Sequence, residues 1–221
     1  MPGREWQFIR PLFNIAAMKW PIAAMGILAL GTALAAHGAG DAKQGERKFY
    51  TCLGCHGIEG YRNAYPDYDV PRLRHQHAAY IVAALKEYNA GERPHATMHA
   101  QAASLSEQDL ADIAAYLQGA NPIRPTPPAH GAPALVATCT ACHGENGLGV
   151  DAPLEPKPPI LAGQHADYLQ QAIDAYRNGR RKNVVMSAMA KGIANEADVK
   201  KIAEYFAAQH SALATASAVS H

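Results

Sequence analysis

Cysteine occurs only four times in this 221-residue chain, phenylalanine four times and tryptophan twice. With aromatic and β-branched runs so sparse and alanine abundant throughout, close-packed helices are favoured over a strand-rich fold. Charge of one sign is missing too. Lys plus Arg is 20 against 19 for Asp plus Glu, so the electrostatic footprint of a nucleic-acid binder is absent. The four cysteines are confined to two places, "YTCLGCHG" (Tyr50 to Gly57) and "ATCTACHG" (Ala137 to Gly144), which restricts thiol chemistry to two copies of Cys-x-x-Cys-His.

The N-terminus is a separate matter. Arg4, Arg10 and Lys19 precede a nearly uncharged stretch from Trp20 to Ala36, followed by small residues at Ala33-Leu34-Ala35 and Ala36-His37-Gly38. A basic segment, an apolar segment and an A-x-A site predict a secretory signal peptide over residues 1–38. A run of about 17 such residues also reaches the lower limit of a membrane span, so a retained N-terminal anchor is the alternative.

The rest of the chain is written twice. Pro71, Leu73, Gln76, His77, Tyr80, Tyr88, Gly91, Arg93 and Met98 fall on Pro159, Leu161, Gln164, His165, Tyr168, Tyr176, Gly179, Arg181 and Met186 at a constant offset of 88. The offset is 87 at the Cys motifs and 89 at the terminal "IAAY" and "IAEY", so two single-residue indels reconcile the copies. Tandem duplication places domain one at 39–119, a spacer at 120–133, domain two at 134–210 and a tail at 211–221. Five prolines in the spacer favour a polyproline-II segment over a floppy coil, and the aperiodic tail reads as disordered. Each domain reads helical. A helix from Asp41 to about Leu53 leads into the first motif, and its counterpart before Cys139 is shortened by Pro133. Helices from His77 to Asn89 and over the matching second segment end at Gly91 and Gly179. The last helices start at Ser106 with Asp109, and at Asn195 with Asp198. The fold class expected is all-α, two tandem domains of a few helices each.

Three chemistries use Cys-x-x-Cys-His. A thioredoxin-like pair belongs near a βαβ pattern, which is missing here. A zinc site is left short of ligands once each pair lies in its own domain. As a c-type haem attachment every residue has a task. Cys52 and Cys55, and Cys139 and Cys142, form thioethers to the two vinyl groups, and His56 and His143 ligate iron from below. Two covalently bound haem c groups, one per domain, are therefore expected.

The sixth ligand separates an electron carrier from an enzyme. Domain two offers Met186 and Met189, but only Met186 has a methionine partner, Met98; Met189 aligns with Gln101. Met98 and Met186, in a loop before the last helix, are the expected distal ligands, with core gap-filling as the bland alternative. His/Met ligation closes the coordination sphere and raises the reduction potential, which suits outer-sphere electron transfer. His95 and His99 flank Met98, so a bis-His first haem stays open. Histidines 77 and 165 recur at helix starts, where a structural role is the default.

On these motifs, and above all on "PILAGQHADYLQQAIDAYRNGRRKNVVMSAMA", the chain resembles the dihaem cytochrome c4 family from Gly40 to about Gln209. That resemblance implies that the Pro71 and Pro159 carbonyls accept from the proximal histidines and that Leu73 and Leu161 pack on the haem. It leaves Arg93 and Arg181 either on haem propionates or as solvated helix-end charges. Domain one departs from the family at Arg74-His75-Gln76, where domain two keeps Ala162-Gly163-Gln164. The resemblance further implies a periplasmic carrier of single electrons, diffusible or tethered to the inner membrane. It would run from a quinol-oxidising cytochrome bc complex to a terminal oxidase or another periplasmic reductase, and meet the membrane through its N-terminal segment or by docking on such partners. A dihaem subunit of one periplasmic dehydrogenase is the alternative, and a dihaem peroxidase a more distant one.

Overall fold

The computed structural model describes residues 39–120, 126–150, 154, 156–210 and 213–216. The segment 1–38, read above as signal peptide or anchor, lies outside the described residues, as do residues 121–125 of the spacer and 211–212 and 217–221 of the tail. No described helix is long and apolar enough to cross a membrane.

Domain one starts with α1 (Ala42–Phe49), whose first turn is capped by Asp41: its Oδ1 accepts from the N–H groups of Lys43 and Gln44 at 2.8 and 3.2 Å. A 3-10 turn (Tyr50–Cys52) and a single helical turn, α2 (Leu53–His56), carry the first Cys motif. A two-stranded hairpin follows, β1 (Arg62–Ala64) against β2 (Asp67–Asp69), an element that helical periodicity gave no sign of. Then come α3 (Ala78–Asn89), α4 (Ala96–Ala103) and α5 (Glu107–Gln118). Domain two replaces α1 by a 3-10 turn (Ala134–Val136) entered from Pro133, and continues with α6 (Ala137–His143), α7 (Ala166–Arg177), α8 (Val184–Lys191) and α9 (Glu196–Ala207). Met98 and Met186 thus stand in the first turns of α4 and α8, a correction to the loop expected there.

Caps set these helix starts. Ser106 and Asp109 form a reciprocal capping box at α5, and Asn195 accepts from the Asp198 N–H at α9. In domain one, α1 crosses α5 at Gly45, where a Cβ would lie 1.9 Å from the Asp112 carbonyl oxygen, so only glycine lets the backbones approach this closely. The core there gathers Phe49, Ile81, Ile113 and Leu117; in domain two it gathers Val136, Leu169, Ile202 and Phe206. Tyr68 of the domain-one hairpin is buried in the second of these cores, its ring 6.0 Å from that of Tyr168. The spacer is also held to domain two. Ala129 N–H donates to Gln209 Oε1 at 2.8 Å, and Asn146 Nδ2 donates to the Thr126 carbonyl at 2.8 Å.

The tail expected to be disordered is ordered over four residues, and it straps the two domains together. Arg74 and Ala214 exchange backbone bonds of 3.0 and 3.3 Å, and Ala216 N–H donates to the His56 carbonyl at 3.2 Å. Thr215 Oγ1 donates to the Glu59 carboxylate. Leu213 is buried with Ile160 and Ala162 of domain two, whereas Ala216 is buried in the domain-one core with Phe49 and Leu117. Lack of periodicity concealed this because an extended strap of small residues draws its partners from elsewhere in the chain. Leu213→Ala should therefore cost about 2–3 kcal/mol in urea unfolding, the usual penalty for truncating a buried leucine. An unchanged midpoint would mean that the strap is not docked.

Candidate functional site

The first Cys motif runs from the 3-10 turn into α2 and the second lies within α6, so in both the cysteines three residues apart fall on one side of continuous helical backbone with the histidine next to them. All four thiols are half-buried and none is in a disulfide. Among the described residues no group of three or more His, Cys, Asp or Glu side chains gathers into a metal cage, so the two pairs do not converge on a shared ion. Burial pushes the Cys52 and Cys139 thiols up from their ordinary range.

The histidines are held alike in both domains. His56 Nδ1 lies 3.2 Å from the Pro71 carbonyl oxygen, and His143 Nδ1 lies 3.0 Å from that of Pro159. A carbonyl only accepts, so Nδ1 carries the proton and Nε2 is left with its lone pair. Burial lowers both imidazoles, His56 to about 4 against the opposing pull of the proline carbonyl, so each ring is neutral and able to ligate. Leu73 packs against the first core and Leu161 against the second.

The methionines are placed alike as well. Met98 N–H donates to the Nδ1 of the N-cap His95 at 3.3 Å, and Met186 N–H donates to the Oδ1 of the matched N-cap Asn183 at 2.9 Å. Both methionines are half-buried, whereas Met189 faces outward. His95 accepts at Nδ1, so in the neutral ring the proton is on Nε2. His99 is exposed and donates from Nδ1 to the Tyr88 carbonyl at 2.9 Å. The repeat pointed to Met98 and Met186; the capping role of His95 had no sequence signal beyond its alignment with an asparagine.

Sequence reasoning missed the task of Gln76 and Gln164. Buried Gln76 donates to the Ile160 carbonyl at 3.1 Å and accepts from the Ile160 N–H at 2.9 Å. Gln164 does the same to Arg72, with both bonds at 2.9 Å. Ile160 and Arg72 each follow the proline that faces a proximal histidine. Each domain therefore anchors the histidine-orienting loop of the other, in a reciprocal, pseudo-two-fold arrangement. Recurrence of the same glutamine in both copies was the available clue.

Arg93 and Arg181 are only 3% and 8% exposed, which rules out the solvated helix-end alternative. Arg93 lies over Tyr80 and Tyr88, and Arg181 over Tyr168 and Tyr176, at 5.2–5.6 Å. Arg93 is paired with Glu87 at 2.7 Å, but the matched position in domain two is Ala175. Among the described residues Arg181 has no carboxylate within ion-pair distance. Burial alone would raise the Tyr168 phenol, yet Arg181 and Arg93 hold it below its ordinary value. A buried guanidinium without an anion is costly, and a haem, which brings two propionates, fits this excess of positive charge.

The departure at Arg74-His75 also has a physical reading. Arg74 stacks over the Tyr116 ring at 4.6 Å and donates to the Tyr116 carbonyl near the end of α5, and His75 N–H donates to the Leu117 carbonyl at 2.6 Å. His75 adopts φ 68°, the left-handed conformation that Gly163 (φ 69°) adopts in domain two. A non-glycine residue is strained there. His75→Gly should therefore stabilise the protein by about 1 kcal/mol in urea unfolding, and a loss of stability would show that the imidazole contributes more than the strain costs.

The comparisons agree with this geometry. The family model described as Cytochrome c matches residues 42–121 and again 129–209. A cytochrome c4 of Stutzerimonas stutzeri is 33% identical over 213 residues, covering 83% of this chain and 96% of that protein. A thiosulfate dehydrogenase electron acceptor of S. stutzeri strain A1501 is 32% identical over 216 residues, covering 86% and 95%. The crystal structure of reduced recombinant cytochrome c4 from Pseudomonas stutzeri superposes with a TM-score of 0.58 at 30% identity, over 78% of this chain and all of that one. With two matched domains, two Cys-x-x-Cys-His turns and relatives aligned along most of its length, the chain belongs to the cytochrome c family as a dihaem, electron-transferring member similar to cytochrome c4.

Proposed function

We propose that the chain is an exported single-electron carrier in which His56 with Met98, and His143 with Met186, hold the two irons. In this reading it takes electrons from a quinol-oxidising cytochrome bc complex and gives them to a terminal oxidase or another periplasmic reductase. The observation that carries the reading is the repeated pairing of a carbonyl-oriented histidine with a capped, half-buried methionine, identical in design in both domains. Bound haem supplies reversible one-electron exchange at iron.

The chain's residues do the rest. Cys52 and Cys55, and Cys139 and Cys142, tether the group covalently. The Pro71 and Pro159 carbonyls hold a proton on each Nδ1 and so keep each Nε2 open for ligation. Methionine at both distal positions closes the sixth site, which favours a carrier over a peroxidase. Arg93 and Arg181 offer buried positive charge to the propionates, and Leu73 and Leu161 exclude water from the ring faces. A second reading, a dihaem partner dedicated to one periplasmic dehydrogenase, is favoured by the likeness to a thiosulfate dehydrogenase electron acceptor.

An optical redox titration of the holoprotein, with haem counted per chain, tests the ligand set. Two covalent low-spin haems are expected, unreactive to carbon monoxide and both showing the far-red Met-to-iron band when oxidised. Met186→Ala should remove half of that band and leave one haem able to bind carbon monoxide, and Met98→Ala should do the same at the other. A full band in either variant would overturn the assignment of that methionine.

A further inference from the structure

The backbones beside the two motif histidines are held by different parts of the chain. In domain two the loop just after the motif does this locally. Gly149 N–H donates to the His143 carbonyl at 2.8 Å, and the Gly147 carbonyl accepts from the Ala162 N–H at 3.2 Å. Ala162 matches Arg74 at the offset of 88. In domain one the equivalent groups turn to the C-terminal strap. Ala216 N–H donates to the His56 carbonyl at 3.2 Å, and the Ala214 carbonyl accepts from the Arg74 N–H at 3.0 Å. The glycine after each motif histidine repeats the correspondence. A Cβ on Gly144 would lie 2.7 Å from the Gly149 carbonyl oxygen, and one on Gly57 would lie 3.0 Å from that of Ala216. Ala214 and Ala216 therefore stand where Gly147 and Gly149 stand, although they come from about 160 residues beyond the motif they serve.

The reason lies in what the local loop of domain one does instead. The segment between the first motif and Pro71 forms the hairpin of β1 and β2, which sends Tyr68 into the second core. The strap fills the place beside the motif. Ala216 is 0% exposed and lies with Phe49 and Leu117, so it also closes the core behind His56. Between the two alanines, Thr215 donates to Glu59, whose carboxylate accepts from Arg72 at 2.6 Å. Arg72 follows Pro71, the residue whose carbonyl faces His56. A buried backbone group without a partner is costly, so the first site needs these bonds as much as the second needs its own.

We propose that Ala214, Thr215 and Ala216 are positioning residues of the first haem site, supplying from the C-terminal segment the loop that domain two builds locally. This rests on the reading above that His56 is an iron ligand. The strap acts through the backbone of His56 and Arg74, and through Glu59 on the loop that orients the ring. The two sites consequently open in different ways. Loop 144–149 is continuous with its motif, whereas the strap can undock while α2 keeps its own turn. Undocking admits water to the first site, which favours the oxidised, more positive iron and lowers its reduction potential. The second site keeps its loop and its potential.

Potentiometric titration of the holoprotein tests this, with each midpoint assigned to its domain by the Met98→Ala and Met186→Ala variants. Truncation after His210 should lower the midpoint of the first haem and leave that of the second at its parent value. Ala216→Pro in the full-length chain removes the N–H given to the His56 carbonyl while keeping Leu213, and should act in the same direction. Backbone hydrogen exchange at Arg74 should quicken about ten-fold in both variants, with exchange at Gly149 as in the parent. Loss of haem from Cys52 and Cys55 alone would support the proposal too, as a site incomplete without its strap. Parent-like midpoints for both haems in both variants would overturn it. So would equal shifts of the two midpoints or loss of both haems, which would make the strap a general clamp between domains. A parent holoprotein with only one low-spin haem would instead overturn the ligand reading, while exchange at Arg74 would still report whether the strap holds the first site.

Discussion

The bond from each histidine Nδ1 to a proline carbonyl is the contact on which the rest of this structure depends. It decides which ring nitrogen carries the proton, and thereby whether the histidine can ligate iron at all. The carbonyl has to be held still for this to work, and in each domain a glutamine of the other domain holds the adjoining residue through two backbone bonds. Four hydrogen bonds, two buried and two partly buried, of about 1 kcal/mol each are modest in energy, but losing one of the Gln76 pair leaves a buried backbone group of Ile160 unsatisfied. The interface between domains therefore helps to hold the loop that faces each motif histidine.

A second constraint is charge. Two buried guanidiniums lie over four buried or half-buried tyrosines, and among the described residues Glu87 is the only acid paired with either arginine. A protein interior tolerates that excess only where an anion arrives, and a covalently held group with two carboxylates would answer it. Polypeptide and cofactor complete each other: the domains are small, and their polar interiors are arranged for something the chain itself does not encode.

The strap adds mechanical continuity. By placing Leu213 against Ile160 and Ala162 of domain two and Ala216 in the domain-one core, and by bonding to the backbone of His56 and Arg74, residues 213–216 tie the first Cys motif to domain two. Together with the hairpin that inserts Tyr68 into the second core, the strap makes the two domains interlock, whereas the sequence signalled restraint only through the stiff proline-rich spacer.

What the sequence by itself determined is what is local or repeated. Cys-x-x-Cys-His needs only one helical turn, caps act within three residues, and helix periodicity is read along the chain, so motifs, helices and the matched methionines were legible. Comparing the copies singled out Met186, which has a matched methionine, over Met189, which has none; the structure half-buries the first and exposes the second. Only the tertiary structure decided which partners lie far apart in sequence. Gln76 and Gln164 reach across 84 and 92 residues, the left-handed backbone of His75 is set by its docking on α5, and the strap has no periodicity because its neighbours come from both domains. The fate of Arg93 and Arg181 was undecided because an arginine after a helix end is solvated or buried according to what packs around it, and here two tyrosines of the preceding helix lie under each guanidinium.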